Sequence, residues 1–221
     1  MTRIQHPIVR VLLVAAGYAI VAQGSTALSD QTGAMPIFLG AGLAFSAALF
    51  WGIRVAVPGV WLGAFLFECL LIHTLRGVLG PAEVALAAAL GLGAALQAGA
   101  LAWLFERGVA TRKLDRGPDV FALLVSVGLG GTLISATVAV AALSASGFVP
   151  WNDWLANLFR WWIADSAGVI ILVPLYWTFR NFPNRKRKAA LRIGIPTLVL
   201  ASLIVLLFNM VRDWEDERVR S

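Results

Sequence analysis

Apolar stretches close to twenty residues long, separated by short polar connectors, recur along the whole of this 221-residue chain, and they decide its solvent. At 1.5 Å of rise per residue, a helix of about that length crosses roughly 30 Å of hydrocarbon. Backbone N–H and C=O groups find no water there, so each stretch must satisfy its own. Gly, Ala and Leu dominate the stretches, without the alternation over about ten residues that a membrane barrel requires, which favours helices. Seven spans are predicted: Ile8–Leu28, Pro36–Trp51, Val55–Leu75, Ala82–Phe105, Val120–Ser146, Leu155–Phe179 and Ile193–Val211. An eighth, re-entrant or interfacial, has room in Gly24–Pro36 or around Phe148–Trp154. The expected fold class is an all-α membrane protein, a polytopic bundle of seven transmembrane helices with that eighth element left open.

Composition agrees. Only 14% of the residues are charged and 59% are hydrophobic, against about 25% charged in a typical soluble domain. The net charge of +6 does not read as a nucleic-acid surface, because no soluble segment interleaves basic and aromatic residues. Its distribution reads as topology. With the N-terminus in the cytoplasm, most Lys and Arg fall in cytoplasmic segments: Arg3 and Arg10, Arg54, the group Arg107 to Arg116, and the group Arg180 to Arg192. Such a bias orients helical membrane proteins. An odd number of spans then leaves the C-terminus outside, and the expected location is the bacterial inner membrane. Residues 1–211 read as one transmembrane domain in contact with lipid. Residues 212–221, a charged helical continuation containing Trp214, Glu215, Asp216 and Glu217, read as the start of an extracytoplasmic domain. The N-terminal apolar run is read as an uncleaved first helix, since more spans follow it.

Ionisable groups inside hydrocarbon cost about 2.5–3.5 kcal/mol at a helix centre, so each needs a reason. Asp165 lies about ten residues into the sixth span, and Arg160 precedes it by five positions. It reads either as a ligand or cation contact, or proton-sensitive group, at a polar cavity, or as a residue that pairs or caps to fix the bundle. Glu68 lies in the third span beside Cys69 and near His73. A metal needs three or four converging ligands, and the spacing supplies too few, so no metal site is expected. The single cysteine also excludes an intramolecular disulfide. Gln97 in the fourth span needs a partner on another helix for its amide. Ser126, Thr132, Ser135 and Thr137 in the fifth can bond their own helix or line a pocket. Trp151, Trp154, Trp161 and Trp162 suit a membrane interface, with Trp161 and Trp162 placed to wall a pocket over Asp165. Pro58 reads as a helix start or kink. Gly91, Gly93 and Gly99 in the fourth span and Gly128, Gly130 and Gly131 in the fifth suggest close packing of those two helices. No Walker A loop, GxGxxG, HExxH or GxSxG is present, so no catalytic residue and no cofactor is expected.

Three segments resemble a known family. Trp51-Gly52-Ile53-Arg54-Val55-Ala56-Val57-Pro58-Gly59-Val60-Trp61-Leu62-Gly63-Ala64-Phe65 is similar to the R-x-x-x-P-G-x-x-L-G-A hairpin of MASE1, the membrane-associated sensor family, where it joins the second and third spans. Trp161-Trp162-Ile163-Ala164-Asp165-Ser166-Ala167-Gly168, running on to Pro174, resembles its W-W-x-x-D-x-x-G-x-x-x-x-x-P helix, and Leu133–Thr137 its fifth-span motif. The resemblance covers residues 34–177, and the stretch before Gly33 matches poorly. It implies the sensory input of a bacterial histidine kinase or diguanylate cyclase, with the output enzyme outside this chain, a small ligand or membrane protein as partner, and pairing of two copies. A CHASE-type sensor domain could follow the tail. The expected ligand-binding set is Asp165, Trp161, Trp162, Arg160, Glu68 and Gln97. The rival from another class is a substrate-binding membrane transporter component.

Overall fold

The computed structural model describes residues 6–27, 35–111 and 117–181. Six α-helices occupy them: α1 Pro7–Thr26, α2 Leu39–Trp51, α3 Ile53–Arg76, α4 Pro81–Thr111, α5 Gly117–Ala145 and α6 Trp154–Asn181. Each falls within a few residues of one of the first six expected spans. The seventh span, the basic group at 185–192 and the charged tail lie outside the described residues. Among the described residues, four segments, Pro7–Thr26, Ile53–Arg76, Pro81–Gly108 and Trp151–Val173, are long and apolar enough to cross a membrane. The segment around Phe148–Trp154 is a single 3₁₀ turn, Trp151–Asp153, and adds no span. Large apolar side chains such as Ile20, Leu66, Leu70, Leu96 and Ile163 are exposed around the perimeter, an arrangement that suits a lipid solvent and would be a liability in water.

The helices close into a ring in the order α1, α3, α4, α5, α6, α2, and α2 also packs on α3 and α4. This makes α2 the inner helix, and its sequence explains how it fits there. Gly40, Ala41, Gly42, Ala44, Phe45, Ala47 and Ala48 are all buried, and six of these seven side chains are a methyl group or a hydrogen, so neighbours approach from every side. Lipid supplies no hydrophobic drive between helices, and close contact at small residues takes its place. The tightest approach is between α2 and α6: a Cβ added to Gly42 would overlap the Gly168 carbonyl oxygen, and one added to Gly168 would overlap that of Phe38. On the other side, Gly59 and Gly63 form a small-xxx-small face on α3. An added Cβ would lie 2.7 Å from Val14 Cβ and 2.5 Å from the Ala15 carbonyl oxygen, respectively. The expected α4–α5 contact is present through Gly93 and Gly131, whereas Gly91 and Gly99 face α3 and Gly130 faces open space.

With 13 residues, α2 is only about 20 Å long, too short to span the hydrocarbon core. It begins inside the bundle rather than at a rim. The extended segment before it lies against α6, with Phe38 N–H donating to the Ala164 carbonyl at 3.0 Å. Leu39 N–H donates to the Ser25 hydroxyl at 3.1 Å, and that hydroxyl in turn donates to Val21 O. Remote partners thus satisfy first-turn donors that would otherwise be orphaned. At its other end, Gly52 alone separates α2 from α3, with φ at +81°, a conformation that glycine adopts without strain. Pro58 lies inside α3, beyond its first turn.

Gly168→Ala and Gly42→Ala are expected to force α2 and α6 apart and lower stability by about 1–3 kcal/mol. Gly130→Ala, which meets nothing within 4 Å, should be neutral or stabilising by up to about 1 kcal/mol. Thermal unfolding in detergent compares them, and equal melting temperatures for all three would remove the crossing from this account.

Candidate functional site

At the level where α2 begins, residues 164–169 of α6 are buried without interruption, so neighbours surround α6 there. Asp165, 3% exposed, points into the interior. From α4, Gln97 is equally enclosed. With its amide turned so that nitrogen faces acceptors, it donates to Asp165 Oδ2 at 3.0 Å and to the Thr132 carbonyl at 3.2 Å. The Ser135 hydroxyl of α5 approaches the same carboxyl. One turn away, the buried hydroxyls of Thr132 and Ser166 pair at 2.8 Å. Three helices are therefore tied together by polar contacts inside an otherwise apolar bundle.

A second carboxyl lies across the bundle. Glu68 is 9% exposed on α3. Tyr18 of α1, 2% exposed, is within electrostatic reach of both carboxyls. Its ring meets Phe38 edge-on at 6.2 Å, and Phe38 in turn meets Phe67 at 6.1 Å. The end of the Tyr18 ring also closes on the first turn of α2, 3.2 Å from where a Gly40 Cβ would stand. Among the described residues, neither the Glu68 carboxyl nor the Tyr18 hydroxyl has a hydrogen-bond partner, and no Lys or Arg stands within 4 Å of Glu68 or Asp165. The ion pair that is described, Arg76 to Glu83 at 3.8 Å, lies at the α3–α4 turn.

The structure thus brings Asp165, Gln97 and Glu68 to the interior and separates them from the other expected site residues. Arg160 is exposed on α6 and on a different face from Asp165. Adjacent in sequence, the two tryptophans diverge. Trp161 packs with Ile72, Leu86, Ala87, Leu90 and Ala139 between α3, α4 and α5. Trp162 turns to the α5–α6 groove, where its indole N–H donates to the Leu129 carbonyl at 2.7 Å. There it helps line a hollow of about 180 Å³ whose wall includes Ser166. Cys69 is half-buried and His73 exposed, and among the described residues no three metal-capable side chains converge. Sequence reasoning passes over Tyr18 and Ser25. A lone hydroxyl-bearing ring in the middle of the first span is the signal that marks Tyr18.

A bundle of apolar helices wrapped around buried carboxyls, an amide and hydroxyls is a multi-pass membrane protein with a polar interior. Within that class, the MASE1 family model matches residues 8–214, and the chain belongs to this family of membrane-associated sensory domains. No curated protein and no solved structure matches it.

A double-mutant cycle checks the network. Gln97→Ala and Asp165→Ala each strand a buried partner and should cost about 1–3 kcal/mol, with a coupling between them above about 0.5 kcal/mol. Thr132→Val with Ser166→Ala should couple by about 0.6 kcal/mol, the average for such membrane bonds. Strictly additive losses would show that these contacts do not hold the helices together.

Proposed function

We propose that this chain is the sensory input module of a bacterial signalling receptor, with its stimulus site in the polar interior around Asp165. The observation that carries the proposal is a pair of buried carboxyls, Glu68 and Asp165, with no cationic side chain to balance either among the described residues. Intramembrane ionisable residues are retained where they serve function, because packing alone would favour apolar replacements. Asp165 accepts a hydrogen bond from Gln97 of α4 and has Ser135 of α5 close by, and three positions further along the same helix Gly168 rests on the start of α2. A small ligand or a membrane partner that competes for the Asp165 carboxyl would loosen Gln97 and shift α6 against α2. Such a shift requires differential affinity for the two arrangements, and the Gln97–Asp165 bond supplies the difference.

The bias of Lys and Arg among the loops supports a cytoplasmic N-terminus, with the end of the seventh span outside, in an inner-membrane protein. Output would come from a histidine kinase or diguanylate cyclase domain beyond this chain, acting as a pair of copies.

The decisive experiment measures thermal stability of the purified domain against a metabolite library, with Asp165→Ala in parallel. A ligand at a hundredfold excess over its Kd should add about 2.7 kcal/mol to the native state, and the variant should lose that gain. In the intact receptor, Asp165→Asn and Asp165→Ala should abolish the response. Normal signalling by both would end the proposal, and ligand accumulation in vesicles would turn it into a transporter. A reporter active only outside the cytoplasm, fused after Val211, should be active; silence there would reverse the topology.

A further inference from the structure

Helix α2 starts inside the bundle, where each first-turn N–H must find an acceptor within the protein. Phe38 N–H donates to the Ala164 carbonyl, Leu39 N–H to the Ser25 hydroxyl, and Ala41 N–H to the Phe38 carbonyl at 3.3 Å. Gly40 N–H is the exception. Gly40 is buried, its N–H has no hydrogen-bond partner among the described residues, and Phe38 in the capping position supplies no side-chain acceptor. Buried N–H groups left without an acceptor are rare and costly. A second group marks the same place. The Tyr18 ring ends 3.2 Å from where a Gly40 Cβ would stand, which carries its hydroxyl to the first turn of α2. That residue is 2% exposed, and its hydroxyl also has no partner among the described residues.

The electrostatics around these two groups have both signs. A helix start carries the positive end of the helix dipole, and helices that begin inside a membrane turn that end toward anionic groups of a substrate. Against it stand Asp165 and Glu68, both within electrostatic reach of Tyr18, with no Lys or Arg within 4 Å of either among the described residues. Asp165 directly follows Ala164, whose carbonyl holds Phe38, so it adjoins the same helix start. A simple anion would be repelled by the carboxyls. A simple cation would leave Gly40 N–H without an acceptor and would face the positive end of α2. A molecule with both charges suits both sides and brings no net charge into a low-dielectric interior. We infer that the start of α2 is a binding site for a small zwitterion of the amino-acid or betaine class. Its carboxylate accepts from Gly40 N–H and the Tyr18 hydroxyl, and its ammonium faces Asp165 and Glu68. The rings of Tyr18, Phe38 and Phe67, stepped at 6.2 and 6.1 Å, lie beside the site and suit the cationic end, because aromatic faces attract ammonium groups.

The inference rests on the reading under Proposed function that the interior around Asp165 is the stimulus site, and it names the chemistry of the stimulus. An ammonium group at Asp165 competes with Gln97 for that carboxyl, while the carboxylate end holds α2. One ligand thereby engages both helices of the crossing at Gly42 and Gly168.

Ligand-dependent thermal unfolding of the full chain in lipid nanodiscs tests the site with defined probes. These are the proteinogenic amino acids and glycine betaine, each beside the amine and the carboxylate that share its skeleton. At least one zwitterion is expected to raise the melting temperature saturably, with an apparent Kd about tenfold or more below those of its singly charged analogues. Tyr18→Phe removes only the hydroxyl and keeps the ring contact with Phe38. It should weaken that zwitterion about tenfold or more, as should Glu68→Gln and Asp165→Asn, each variant being compared with its own ligand-free melting temperature. Gly130→Ala should bind as the parent does. No saturable stabilisation by any zwitterion overturns the inference, as does equal affinity for an analogue with one charge, or undiminished affinity in Tyr18→Phe. If another compound stabilises the parent chain and not Asp165→Ala, the stimulus site stands and its zwitterionic ligand falls. If a zwitterion binds and needs the Tyr18 hydroxyl, yet both Asp165 variants signal normally, the binding site stands and its sensory role falls.

Discussion

The start of α2 against α6 is the contact on which the rest of the bundle depends. A 13-residue helix packed against four longer ones leaves its first-turn N–H groups in a medium that offers no water. The bundle answers with the Ala164 carbonyl and the Ser25 hydroxyl. The Ala164 carbonyl of α6 can reach because Gly42 and Gly168 remove the side chains that would hold the α2 and α6 backbones apart. In hydrocarbon, where apolar packing has no solvent to escape from, such backbone proximity is a main source of helix association.

The polar interior follows from the same placement. A helix that begins in mid-bundle brings Tyr18, Glu68, Gln97 and Asp165 around one level. Gln97 and Asp165 partner each other there, whereas among the described residues Tyr18 and Glu68 have no hydrogen-bond partner. An incompletely satisfied network in a low-dielectric interior is a high-energy arrangement. It is the sort of element that a bound group can tip, and this connects the packing to the sensory role of the family.

The family motifs acquire physical meanings in this frame. In the W-W-x-x-D-x-x-G helix, the aspartate anchors the amide of α4 and the glycine admits α2, whereas the two tryptophans serve different neighbours, one in a helix-packing cluster and one bonded to the Leu129 carbonyl. In P-G-x-x-L-G-A, the two glycines form the face that receives α1, and the motif lies within α3 rather than in the turn before it.

Helix content, the approximate limits of the first six helices and the exceptional standing of Asp165, Glu68 and Gln97 were legible in the sequence. Each is a local consequence of transferring the chain into hydrocarbon: length and apolarity set the spans, and the cost of burying a charge marks the residue. The partners were not legible. That Gln97 meets Asp165 rather than a serine, that Arg160 stays outside, that Trp161 and Trp162 part company and that Tyr18 comes within electrostatic reach of two carboxyls all depend on helix rotation and crossing. These are set by which small residues face which neighbour in the assembled bundle. Glycines are abundant in every span, and only the tertiary structure distinguishes Gly42 and Gly168, where two backbones meet, from Gly130, where nothing does.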